Sequence, residues 1–168
     1  YSVMIIHSPI YLTSLGIPLT VYLATILPFA LLPFVVLPYE LGYLADTKIG
    51  EKELLILGLI IVAISLFLIV IIRSPDILLW TAVLVVSRIG ASFVETMTFT
   101  YYFKKIEAED ASLTALFSNM RTLAVVVIGI LGFAISPLLV TYPQLIFIIL
   151  GCAVLLSILS IMQIRDTR

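Results

Sequence analysis

Residues 54 to 72 read LLILGLIIVAISLFLIVII, nineteen positions that carry no charge and only Gly58 and Ser65 outside the apolar set. A helix of that length spans about 28 Å, close to the hydrocarbon thickness of a bilayer. Lipid offers no partner to a backbone N–H or C=O, so such a run must bond to itself as a helix or belong to a closed barrel. A barrel strand alternates polar and apolar residues, whereas here the apolar character is unbroken. The many Val and Ile residues would favour strands in water, but the pattern assigns a membrane-spanning helix. Leu145–Ile161 is a second run without a charge.

The rest of the chain agrees with this start. Of its 168 residues 62% are hydrophobic and 11% charged, with a mean hydropathy of +1.28. Soluble domains have roughly 45–50% apolar and 25% charged residues, and a chain of this size could not hide the excess from water. The expected fold is all-α, a polytopic transmembrane bundle in a single membrane domain over residues 1–168. Charged clusters divide it into a partial helix at about 1–14 and five full helices at about 18–43, 53–72, 76–103, 112–140 and 143–164. The first residue is Tyr1 and the chain turns apolar almost at once, so the start reads as a truncation. Pro28, Pro33 and Pro38 recur every five residues in the second segment, each removing a helical hydrogen bond. That helix should bend, either for packing or as a hinge.

Basic residues set the orientation. Lys48 and Lys52, Lys104 and Lys105, and Arg165 and Arg168 follow the second, fourth and sixth segments, against Arg73 alone on the other side. These loops and the C-terminal tail are expected in the cytoplasm, and the protein in the plasma membrane as a multi-pass chain. A net charge of −1 without a basic stripe argues against nucleic acid as a partner. Cys152 alone can form neither an internal disulfide nor a multi-cysteine metal site.

Between the second and third segments stands Gly42-Tyr43-Leu44-Ala45-Asp46-Thr47-Lys48-Ile49-Gly50-Glu51-Lys52. Glycines suit a sharp turn or a close helix approach. Asp46 is placed to cap the third helix and to meet its positive dipole end. The stretch resembles the cytoplasmic signature loop of the major facilitator superfamily, a Gly-x-Leu-Ala-Asp-basic-x-Gly-basic-basic pattern. Gly42, Leu44, Ala45, Asp46, Gly50 and Lys52 fit it, and Lys48 stands for the basic residue after the aspartate. One extra residue separates Asp46 from Gly50, and Glu51 replaces the first of the paired basic residues. The resemblance implies the C-terminal half of a secondary transporter, from a partial helix seven to helix twelve. Leu15-Gly16-Ile17 would then make the turn into helix eight. It also implies a loop that latches two halves together and a missing N-terminal half as partner.

Ionisable side chains at bilayer depth cost about 2.5–3.5 kcal/mol on insertion scales, so each asks for a partner or a task. Arg88, Glu95 and Arg121 stand out. Glu95 is about 12 Å from the inner end of the fourth segment, and Arg121 is about 13 Å from that of the fifth. The two should approach each other, directly or through water. Arg88 lies two turns before Glu95 on the same face. Ser87, Ser92, Thr96, Thr98, Thr100, Tyr101 and Tyr102 make this the most polar segment, and Ser118 and Asn119 extend it onto the fifth. A packing ion pair and a site of substrate or proton coupling both fit this pattern. Glu40, near the inner surface, and His7, alone in the chain, read as structural. Gly129, Gly132 and Ser136 form a small-residue strip suited to close packing, with Pro137 beside it.

No His-Glu-x-x-His, thiol pair or Gly-x-Ser-x-Gly elbow is present, and Asp46 and Asp76 fall at opposite surfaces, so an enzyme is not expected. No cofactor and no metal are expected either. The expected function is transmembrane transport of a small solute by alternating access, with the lipid bilayer, an unknown small-molecule substrate and protons as the candidate partners. A fragment of this kind should not act alone. The other hypothesis is a non-transporting membrane scaffold or assembly subunit. In a transporter wall Arg88, Glu95 and Asn119 should border a cavity, and in a scaffold they should be sealed in dry contacts.

Overall fold

A computed structural model describes residues 2–105, 111–134, 142 and 144–163, and side-chain surroundings for these except 2–6, 111–113, 118, 121 and 131–134. The described residues are all-α. Helix α1 is Ser2–Ser14 and α2 is Leu19–Thr47; α3 is Glu51–Ile71, α4 Ile77–Lys105, α5 Ala111–Ala134 and α6 Leu145–Met162. Four of them, α2, α3, α4 and α6, are long and apolar enough to cross a membrane.

The turn from α1 into α2 is built on Gly16. Its N–H donates to the Thr13 carbonyl at 3.0 Å and that of Ile17 to Leu12 at 3.1 Å, the paired bonds of a Schellman ending. Gly16 has φ +95°, a conformation that a side chain opposes. Helix α2 is then interrupted ahead of Pro28 and of Pro33, whereas Pro38 lies within regular helix. Tyr22–Ile26 form a π-helical turn, Leu27–Leu31 a short α-helical piece, and the regular helix resumes at Pro33. Because Pro33 has no N–H, the Phe29 carbonyl takes a tighter bond from Leu32 at 3.3 Å. Ser92 of α4 donates to the Pro33 carbonyl at 3.3 Å, tying the broken helix to the bundle.

Helix α3 lies at the centre, packed most extensively on α4 and next on α6. Two glycines permit the α3–α4 contact. A Cβ on Gly58 would lie 2.6 Å from the Phe93 Cβ and 2.9 Å from the Gly90 carbonyl oxygen, and one on Gly90 would lie 2.8 Å from the Gly58 oxygen. The two backbones touch, as small residues allow where no hydrophobic force draws helices together. On α6, Gly151 receives the Phe67 ring in the same way.

The larger core gathers at the end of the bundle away from the lysines. Tyr11, Trp80 and Phe147 meet there, with ring centroids 5.9 Å apart for Tyr11–Trp80 and 5.5 Å for Tyr11–Phe147. The Trp80 indole N–H donates to the Ser74 carbonyl at 2.7 Å. Asp76 caps α4, accepting from the N–H of Leu78 at 2.9 Å. At the opposite end a smaller cluster joins Leu41, Ala45, Leu54 and Met97. Lys104 of α4 there meets Asp46 of α2, and Lys52 of α3 meets the end of α6. The chain thus leaves α4 at the lysine end and enters α6, through Phe147, at the aromatic end. Helix α5, of 24 residues, lies in the chain between these two points.

Candidate functional site: the polar helix and its clefts

Helix α4 carries the polar residues and turns them inward. Trp80, Leu84, Ser87 and Arg88 are buried at helical spacing, and Arg88 keeps only 2% of its surface exposed. Its guanidinium lies within electrostatic reach of Tyr22 in the π turn of α2. A charge held that deep is costly unless engaged, which places Arg88 in the packing of α2 on α4.

Glu95, two turns further, has different surroundings. It is part-buried and borders two clefts. One, of about 490 Å³, opens between α2 and α4 and is lined by Phe34, Pro38, Thr96 and Phe99 besides Glu95. The other, of about 690 Å³, lies among α3, α4, α5 and α6, with Val62, Glu95, Phe99, Phe117 and Met120 in its wall. Both fall in the size range of small-molecule sites, which combine an apolar lining with a few polar groups. Phe117 of α5 forms the aromatic edge of the second cleft, stacked on Tyr102 with centroids 3.9 Å apart and edge-on to Phe99 at 5.4 Å.

The expected approach of Arg121 to Glu95 involves a side chain outside those described. Asn119 is exposed on α5 and lies outside the lining of both clefts. Of the three groups expected to mark a cavity, Glu95 borders one and Arg88 is sealed in helix packing. Among the described residues nothing lies within 4 Å of a Cβ position on Gly129 of α5. Gly132 shows no described surroundings, and Ser136 and Pro137 lie outside the described residues. His7 is part-buried in α1 and Glu40 is exposed.

The loop between α2 and α3 differs in detail from its sequence reading. Asp46 does not cap α3, because α2 continues through Thr47 and Gly50 takes the N-cap position without a side-chain bond. Asp46 instead accepts from the Lys104 ammonium at 2.6 Å. The same ammonium contacts Glu51, whose side chain is 1% exposed. Glu51 sits in the first turn of α3, where the helix dipole favours a carboxylate. Glu51 is thus the inner partner of a three-helix charge contact. Gly42 lies inside α2, where a Cβ would meet nothing within 4 Å. Gly50 has an ordinary extended backbone at φ −70°. Gly42 therefore makes neither the sharp turn nor the close approach expected of it, and Gly50 is buried. Lys48 is exposed at the end of α2. Lys52 donates to the Met162 carbonyl at 2.7 Å, satisfying one of the free acceptors at the C-terminus of α6. Arg165 and Arg168 lie outside the described residues.

Sequence reasoning missed Gly58, Gly90 and the bridging role of Lys104. The two glycines had a signal, each being a small residue within an otherwise large apolar run, but their pairing depends on the register between two helices. No family model, curated protein or solved structure matches this chain. The class that fold and site define is an all-α bundle with the helix lengths and hydropathy of a multi-pass membrane protein.

Proposed function

We propose that the chain forms one wall of a solute pathway in a secondary transporter resembling the major facilitator superfamily. It would work with a second helical half in the plasma membrane, its lysine-rich end in the cytoplasm. The reading rests on the residues themselves. The observation that carries it is the position of Glu95, a carboxylate at bilayer depth standing in the common wall of two clefts. A group so placed can meet solute or protons in either cleft, as a polar group at a transporter's midplane site would. The signature-like loop adds support: its Asp46 and Glu51 both meet Lys104, which brings the inner ends of α2, α3 and α4 together.

Water access is the test. In the full chain with Cys152→Ala, single cysteines at Thr96 and Phe99 line the clefts, and one at Ser65 is buried. A charged methanethiosulfonate reagent should modify Thr96→Cys and Phe99→Cys much faster than Ser65→Cys. Equal, slow modification at all three would mean dry contacts and favour the scaffold reading, which the sealing of Arg88 independently suits.

A further inference from the structure

A third cleft, of about 360 Å³, lies at the lysine end among α3, α4 and α6. It is lined by Lys52, Leu55 and Leu59 on one side and by Met97, Tyr101 and Ser157 among the residues facing them. Glu95 takes no part in it. From Lys52 at its mouth to Leu59 it extends about 10 Å along α3.

Two of the hydroxyls in its wall are already used. Thr98 donates to the Val94 carbonyl at 2.6 Å and Ser157 to the Val154 carbonyl at 2.6 Å, each turned back onto its own helix. Glu51, which also touches the cleft, is held by Lys104. What remains is an apolar slot with cationic groups at one end. Lys52 spends one of its three N–H donors on Met162, and Lys105 lies over the Tyr101 ring at 5.8 Å from its centroid. A buried water wants two to four polar partners, and these walls supply few, so an alkyl chain suits the slot better. The charged mouth, at the inner end of a bundle of membrane-spanning length, is where anionic headgroups collect on juxtamembrane lysines.

We propose that this slot holds the glycerol-proximal half of one acyl chain of an anionic glycerophospholipid, with its phosphate at Lys52. The lipid would join α6 to α3 and α4 at the end where Lys52 already ties them. The site is independent of transport.

Native mass spectrometry of the full chain, purified in detergent and titrated with phosphatidylglycerol or phosphatidylcholine, tests it. One adduct per chain is expected, with a preference for phosphatidylglycerol of roughly tenfold, the size that one or two lysines near an anionic surface confer. Lys52→Met should abolish the preference, Lys52→Arg should retain it, and Ser157→Phe, which fills the slot, should remove the adduct from both titrations. Helical circular dichroism establishes that each variant is folded. Inorganic phosphate in excess should not displace the lipid; displacement would show that an anion alone occupies the mouth and would overturn the assignment. Equal binding of the two lipids by the native chain, or an undiminished adduct in folded Ser157→Phe, would also overturn it.

Discussion

Gly90→Leu should destabilise the bundle by about 3 kcal/mol, the upper range for overpacking a close contact. The neighbours leave no soft direction in which to yield. Around the position a Cβ would take on Gly90 lie the Gly58 oxygen at 2.8 Å and the Val62 nitrogen at 2.9 Å, both backbone, with the Ile61 Cγ2 also at 2.9 Å. The helices must part, and the largest contact in the molecule parts with them. Gly58→Ala should act in the same direction and more weakly, and the Gly58→Ala, Gly90→Ala pair should cost less than the sum, because the first methyl already opens the gap. Gly129→Ala is the control. Its site is open, so the ordinary helix preference of alanine should leave stability unchanged or raise it by about 0.5 kcal/mol. Equilibrium unfolding in mixed micelles, followed by helical circular dichroism, measures these four and the Gly90→Ala single that the sum requires.

The second large effect is expected at Lys104. Its two carboxylate contacts differ in setting, Asp46 having 57% of its side chain exposed and Glu51 only 1%. An exposed ion pair contributes at most about 1 kcal/mol, whereas removing one member of a buried pair is far more costly. Lys104 is itself 36% exposed, which screens the interaction, and Lys104→Met should therefore cost about 2 kcal/mol, as for a hydrogen bond to a charged group. A double-mutant cycle separates the two arms. Coupling between Lys104→Met and Glu51→Gln should reach about 1.5 kcal/mol, and coupling with Asp46→Asn should stay below about 0.5 kcal/mol. The reverse ranking would make Asp46 the principal anchor and Glu51 a bystander.

These two contacts also show where a sequence stops being readable. The spanning helices announce themselves because lipid imposes a simple rule, about 20 apolar residues between charged ends, and Leu54–Ile72 obeys it. The interruptions in α2 follow from proline chemistry, and the turn at Gly16 from the position of a glycine between two helices. Pairings across helices obey no such local rule. Gly58 and Gly90 lie thirty-two residues apart in the chain, and nothing in either run says that they meet. Lys104 reads as one more interfacial lysine until the fold brings it to Asp46 and Glu51. Asp46 suggested a cap because it precedes a helix, but α2 runs on past it and its carboxylate is drawn to an ammonium instead. At bilayer depth the polar residues of α4 mark it as special without revealing that Arg88 is packed away while Glu95 borders two clefts.

All of this depends on helices that thread a bilayer with Lys48, Lys52, Lys104 and Lys105 at one surface. Single cysteines placed at Lys48, Lys105, Ser74 and Tyr142 in a Cys152→Ala background, exposed to an impermeant thiol reagent before and after membrane permeabilisation, test that arrangement most directly. Cysteines at 74 and 142 should react in intact cells, and those at 48 and 105 only once the membrane is opened. Labelling that put 48 and 105 on different sides would contradict the threading and, with it, every assignment built on the bundle's two ends.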